Sequence, residues 1–226
     1  MNDEMEGFDL HEVLTEILYL KHGEDETKKA LNLLDSTIGS ILRYQLSFSA
    51  STLKDDITQW RAYSNLGQGI CIEFVDGFIN DLEVEVQQVD CLYNFDDKRN
   101  AIINDKNLKV NDVTIDQILS SQNGMDSYIN SVINTLVKFK NSSFSPEKEV
   151  RWVTTSDRLS SPTSGLKFRP HRLGLTSYRK VKIDVSKVKL IRIGPQVPEQ
   201  NLKTIEDFAL HWNCSGEIKK SKVTLR

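Results

Sequence analysis

The spacing of hydrophobic positions changes several times along this chain, and each change predicts an element. Leu10, Val13, Leu14, Ile17 and Leu18 recur at helical spacing, as do Leu31, Leu34, Ile38, Ile41 and Leu42. Two amphipathic helices are therefore predicted, the first ended by His22-Gly23. Glu24-Asp25-Glu26 suits the start of the second, where the helix dipole favours negative charge. From Tyr44 to Ser51 the period drops to two. Tyr44, Leu46, Phe48 and Ala50 alternate with Gln45, Ser47, Ser49 and Ser51, which predicts a half-buried strand with a hydroxyl-rich face. A short helix over Asp55–Ser64 carries Trp60 and Tyr63 three apart, and Asn65-Leu66-Gly67 turns the chain out of it. Gly69–Val75 reads as a strand with Ile70, Ile72 and Phe74 on its apolar face, and the more polar Val84–Val89 as a strand nearer an edge.

Helical periodicity returns over residues 94–141, read as a helical insertion with breaks near Lys106–Asp112 and Gly124. A strand is predicted through Glu147 and Glu149, then a polar loop from Ser156 to Gly165. Strands at Leu166–Arg169, Tyr178–Val185 and Val188–Ile193 follow, the last ended by Gly194-Pro195. A helix from Pro198 to Trp212 turns Leu202, Ile205, Phe208 and Ala209 inward; Cys214-Ser215-Gly216 closes it, and Glu217–Leu225 forms a final strand. Strands are not evenly separated by helices, so the expected class is α+β: a mixed or antiparallel sheet flanked by helices, in one domain over residues 1–226.

Composition narrows the function. A hydrophobic fraction of 38% with 27% charged residues is that of a folded domain. The net charge of -3 argues against a dominant nucleic-acid footprint, although Lys219–Arg226 is locally basic. Cys71, Cys91 and Cys214 are dispersed and odd in number, which suggests neither a disulfide framework nor a zinc knuckle. With no secretion-signal pattern and no run of about 18 apolar residues, the expected location is cytoplasmic, away from membranes.

Candidate chemistry centres on Ser145-Pro-Glu-Lys-Glu-Val-Arg-Trp-Val153. In a strand, Glu147, Glu149 and Arg151 share one face, so two carboxylates and a guanidinium converge where a cationic or sugar-bearing ligand can be held. The same trio equally makes a solvated face whose charges cancel. Ser47 and Ser49 are placed to orient a carboxylate by hydrogen bonding, and Trp60 and Tyr63 to form a ligand-facing aromatic wall, or else a core stripe. Gly67 and Gly69 do not make a dinucleotide fingerprint, no Gly-x-Ser-x-Gly elbow occurs, and the four histidines show no metal spacing. His171, amid Arg169, Arg172 and Arg179, lies in a setting suited to an anion.

Three blocks together resemble a bacterial family catalogued as domain of unknown function 2971. They are Trp60–Phe74 with its Trp-x-x-Tyr, glycine and hydrophobic strand; Phe144–Arg151 with Glu-x-Glu-x-Arg; and Ile191–Pro195 followed by a helix and a strand ending at Ser221–Arg226. Met1–Gly7 resembles the family's Asn-Asp-x-x-Glu block, which normally follows a strand and a helix, so the family's N-terminal strand is expected to be missing here. The family's layout is similar to that of ADP-ribosyltransferases, with a serine pair on a middle strand and Glu-x-Glu on a late one. That analogy implies an ADP-ribosyltransferase-like core with NAD as substrate. Glu149 would be its catalytic carboxylate, Glu147 and Arg151 its partners, and Ser47 or Ser49 the middle motif. It further implies a nucleotide ligand, a protein or nucleic-acid acceptor, and a toxin or phage-defence role. On this reading Glu149→Gln abolishes activity with little effect on folding. The rival reading is a non-catalytic nucleotide- or protein-binding module of the same fold. A nuclease is disfavoured, because no acidic or histidine cluster stands at metal spacing.

Overall fold

A computed structural model describes residues 12, 13, 15–17, 19, 23–25, 27–29, 31, 32, 46–82, 86–105, 131–154, 165–171 and 174–224. In chain order the elements are β1 (Ser47–Ser51), α1 (Ile57–Tyr63), β2 (Ile70–Phe74), β3 (Val86–Asp90), α2 (Phe95–Ile103), β4 (Glu149–Thr154), β5 (Lys167–His171), β6 (Gly174–Tyr178), β7 (Val188–Ile193), α3 (Leu202–His211) and β8 (Glu217–Lys220). Helices with antiparallel and mixed sheets make the protein α+β. The chain forms two compact units, each built from two stretches: 1–50 with 86–166, and 51–85 with 167–226. The Met1–Gly7 block, the second helix beyond residue 32, the centre of the 94–141 insertion and the loop from Ser156 to Ser164 lie outside the described residues.

In the first unit β4 is the central strand between β1 and β3, pairing antiparallel with β3 so that Val89 stands opposite Arg151. Burial on both faces makes β4 nearly continuous in buried positions, including Val150 and Val153. Val89, Val137 and Val153 form a core cluster, and Ile102, Ile133, Leu136 and Phe139 are also buried. Helical residues 131–136 lead through a turn to Phe139, which bridges Leu92 in parallel. Asn94 caps α2 by accepting the Asp97 N–H at 2.7 Å, and Asp96 and Asp97 follow in its first turn, where the dipole favours them. The predicted apolar stripe of the first helix holds where it is described, with Val13 and Ile17 buried.

The second unit has a mixed sheet in the order β2-β7-β8, antiparallel between β2 and β7 and parallel between β7 and β8. Asp56 caps α1 by accepting the N–H groups of Thr58 and Gln59. Asn65, Leu66 and Gly67 then all take positive φ, reversing the chain into β2. That turn docks on Gly194, whose N–H donates to the Gly69 carbonyl at 2.9 Å while Gln196 N–H donates to Gly67. A Cβ at Gly194 would lie 2.2 Å from the Gly67 oxygen. Gly194→Ala is therefore expected to cost about 1–3 kcal/mol, since backbone must move to admit one methyl. Urea denaturation checks this, and an unchanged midpoint would show that the turn yields freely.

Four strand and face expectations change. β5 and β6 form a separate two-stranded hairpin over 167–178, and residues 179–184 are not a strand. Pro170 is tolerated there because neither strand is central, and Gly174, at φ 123, begins β6 opposite His171. Ile70 and Ile72 are exposed on β2, a terminal strand of its sheet, and on α3 Ala209 is buried while Phe208 is exposed. The final strand stops at Lys220.

Candidate functional site

Glu149 and Arg151 are two apart on β4 and so share a face. Both are buried, at 9% and 5% exposure. Arg151 grips the carboxylate twice, Nε to Oε1 at 2.8 Å and Nη2 to Oε2 at 3.3 Å, a bidentate geometry that fixes the rotamers of both side chains. Its remaining Nη1 donates to the Val137 carbonyl at 3.0 Å, just past helical residues 131–136, where carbonyls have no partner within the helix. The segment after that turn is pinned beside Leu92: Leu92 N–H donates to Lys138 at 2.6 Å, and Lys140 N–H to Leu92 at 3.0 Å. This delivers the Lys140 ammonium to both Glu147 and Glu149. The ammonium also lies 5.1 Å above the Phe144 ring centroid. The backbone N–H of Glu149 donates to the Tyr93 hydroxyl at 2.7 Å.

Glu147 reaches this cluster by another route than the predicted strand. It ends a 3₁₀ turn over Ser142–Glu147 that contains Pro146, and Lys148 then adopts a left-handed conformation at φ 47 before β4 begins. The two-residue alternation therefore starts at Glu149, and Glu147 joins through the shared Lys140. From β1, Ser49 hydrogen-bonds the Glu149 carboxylate. Ser47 is exposed two residues earlier, and Phe48, on the alternate face, packs against Trp152 with ring centroids 5.5 Å apart.

Burial works against charge on Glu149. Hydrogen bonds from Arg151, Lys140 and Ser49, with the Arg151 charge, outweigh it and bring the carboxyl down to about 2. Lys140 shows the converse balance: burial disfavours its ammonium, but hydrogen bonds and charge from Glu147 and Glu149 raise its pKa. Two carboxylates and two cations thus make a buried network of zero formal charge. Glu149 is not the exposed carboxylate the sequence suggested. Substituting its amide would leave Lys140 and Arg151 with too little negative charge, so Glu149→Gln carries a folding cost.

Trp60 and Tyr63 belong to the second unit. Trp60 is 3% exposed and donates its indole N–H to Asp55 at 2.8 Å, while Tyr63 is exposed. Asp55 also accepts the Ser221 hydroxyl at 2.7 Å and the Lys222 N–H at 2.9 Å, and faces Arg192 at 3.7 Å. Burial opposes its charge, but these bonds and the Arg192 guanidinium hold its carboxyl below the usual range. This node fastens the start of α1 to β7 and to the chain beyond β8. Sequence reasoning missed Lys140, Tyr93 and Asp55. The one available signal for Lys140 was the alternation Val137-Lys138-Phe139-Lys140, which marks a short extended run but places the lysines on its polar face.

Among the described residues no group of three His, Cys, Asp or Glu could hold a metal ion, and no helix is long and apolar enough to cross a membrane. The architecture and this network define an α+β protein built around a buried carboxylate. Residues 59–152 match the family described as Protein of unknown function (DUF2971), a span that contains most of α1, all of β2, β3 and α2, the first four residues of β4 and the whole four-charge network. The match supports the resemblance drawn from Trp60–Phe74 and Phe144–Arg151. No curated protein and no solved structure matches the chain.

Proposed function

We propose that this chain acts on NAD through an ADP-ribosyltransferase-like site on the β1–β4 face, with Glu149 as the working carboxylate. The observation that carries this reading is the hydrogen bond from Ser49 on β1 to Glu149 on the neighbouring β4. It is the relation the analogy requires between a middle-strand serine and a late-strand glutamate. In the reaction the bond between nicotinamide and ribose breaks, and nicotinamide leaves with the electron pair. Glu149 stabilises the positive charge that develops on the sugar, and an acceptor oxygen forms the new bond and loses its proton. Arg151 and Lys140 keep Glu149 ionised, Glu147 positions the acceptor, and Ser47 offers a ligand-facing hydroxyl. The biological role is that of a NAD-consuming effector of toxin or phage-defence type.

A second reading is favoured by a specific observation. Arg151 twice, Lys140 and Ser49 engage the Glu149 carboxylate, filling its roughly four acceptor positions. A carboxylate so engaged suits a non-catalytic module in which the network fixes the sheet. Incubation with NAD and cell lysate, followed by mass spectrometry of nicotinamide, separates the two. The proposal expects release that falls roughly 10- to 100-fold in Ser49→Ala, an exposed position, with a smaller fall in melting temperature than in Glu149→Gln. Release unaffected by Ser49→Ala and Glu149→Gln would overturn the assignment of Glu149. Saturable NAD binding without release selects the module, and neither binding nor release overturns nucleotide recognition altogether.

A further inference from the structure

The small net charge of the chain conceals a strong local excess. Between residues 167 and 182 stand six Lys and Arg and no Asp or Glu. Most of that stretch is the β5–β6 hairpin, paired from Lys167↔Tyr178 through Arg169↔Thr176 to His171↔Gly174, with no third strand beside it among the described residues. Directly opposed residues share a face, so Lys167, Arg169, Thr176 and Tyr178 line one side of the ribbon and Phe168, Pro170, Leu175 and Ser177 the other. Lys167 and Arg169 are exposed, and the exposed Lys180 and Lys182 continue the charge past β6. No ion pair among the described residues occupies Lys167, Arg169 or Lys180. Three exposed lysines elsewhere in the same unit are paired: Lys189 with Glu73 at 2.7 Å, Lys219 with Glu217 at 2.7 Å and Lys220 with Glu199 at 3.4 Å.

We infer that the β5–β6 ribbon is a nucleic-acid-binding surface, with Lys167, Arg169, Lys180 and Lys182 meeting the phosphate backbone. Unneutralised charge on an exposed ribbon favours a polyanion, because each phosphate neutralised by a side chain releases a condensed counterion. The shape fits as well. Two paired strands of five residues make a ribbon about 16 Å long, a form that a duplex major groove about 12 Å wide admits. The Arg169 guanidinium lies 5.6 Å from the Tyr178 ring centroid, giving the basic face a planar stacked pair against which a base or sugar can rest. An anionic membrane is the competing polyanion, since Phe168 and Leu175 are 62% and 76% exposed. These two stand on the reverse face, however, so a bilayer that received them would leave the basic row turned to water. This inference is independent of the NAD reading, because none of its residues belongs to the β4 network.

The test is fluorescence anisotropy of the full chain with labelled duplex DNA, single-stranded DNA and single-stranded RNA, at a series of salt concentrations. At least one of the three is expected to bind with a log–log salt dependence. The triple substitution Lys167→Glu, Arg169→Glu, Lys180→Glu should weaken it at least about tenfold. For a duplex it should also lower the salt slope by about 2.7, since each phosphate left unneutralised removes about 0.9. Lys220→Glu in the same unit should leave affinity within about twofold. Circular dichroism confirms that the variants, all at exposed positions, retain the fold. The inference is overturned by no binding to any nucleic acid at about 50 mM salt, by binding that the triple substitution leaves unchanged, or by preference for phosphatidylserine vesicles over all three nucleic acids.

Discussion

Lys140→Met is expected to destabilise the protein by about 3–5 kcal/mol, the largest loss at the β4 network. Lys140 is 8% exposed, and its ammonium engages both Glu147 and Glu149. Methionine nearly preserves the volume and keeps an apolar stem against Phe144, so the loss reports charge rather than a cavity. What remains is two carboxylates facing one guanidinium with little access to water, and the uncompensated buried charge is the source of the cost. Adding Glu147→Gln to Lys140→Met leaves Glu149 paired with Arg151 alone and restores the balance. The double variant should therefore recover part of the stability, with a coupling energy of about 0.5–3 kcal/mol in the cycle. Urea denaturation at neutral pH measures all four proteins. A single variant within about 1 kcal/mol of wild type would place the network among exposed ion pairs and remove the case for desolvation.

The elements legible in the sequence are those with a sustained repeat or a clear stop signal, although on β1 burial does not follow the alternation, since Ser47, Phe48 and Ser49 are all exposed. Alternation over Tyr44–Ser51 located β1, the short helix read over Asp55–Ser64 is α1, and the strand read over Val188–Ile193 and ended by Gly194-Pro195 is β7. The chemistry around Glu149 was legible only along the strand. Arg151 is two residues away on the same face, so spacing alone predicts their contact. Lys140 arrives through a turn and a single bridge to Leu92, a tertiary relation that leaves no periodic trace. Glu147 was placed on the strand because nothing in Pro-Glu-Lys-Glu announces a left-handed lysine; a glycine at position 148 would have. The β5–β6 hairpin was missed in part because Gly-Leu-Thr-Ser-Tyr lacks alternation, and a ribbon exposed on both faces has no core to impose one. The interleaving of two units was equally invisible. The chain passes between them near residues 51, 86 and 167, and the first two crossings carry no linker composition.

The Ser49–Glu149 hydrogen bond and the four-charge network pull the functional reading in opposite directions, and energetics decide what each can do. A serine bond alone would hold a carboxylate that is free to face a sugar. Two cations hold the same carboxylate far more firmly and spend its charge internally. For Glu149 to work on a ligand, that ligand must displace Lys140 from it or share the remaining field of Arg151. The network would then act as a latch whose strength is set by how firmly Glu149 is kept ionised, a quantity that pH titrates directly.

Wild type and Glu149→Gln are expected to differ by about 3 kcal/mol in folding stability near neutral pH and to converge as pH falls toward about 2. The sign follows from proton binding. In the unfolded chain Glu149 titrates near its ordinary 4.5, and in the folded protein at about 2. Above 4.5 both states are ionised and the full stabilisation is present. Between 4.5 and 2 the unfolded chain takes up a proton that the folded state refuses, so stability falls as pH falls, and below about 2 the contribution is gone. Glutamine has no proton to take up. Its amide can place its oxygen toward Arg151 only by turning its NH2 toward another donor, so the variant begins less stable and lacks this component of the slope. Asp55, Asp56 and Glu73 also have lowered values and weaken wild type and variant alike in acid, which is why the difference between the two proteins is the quantity to follow. Urea midpoints in steps across the acid range give that difference. A gap that stays constant from neutral pH to about 2 would show that packing or geometry, and not the Glu149 charge, separates them, and the latch would then have no electrostatic basis.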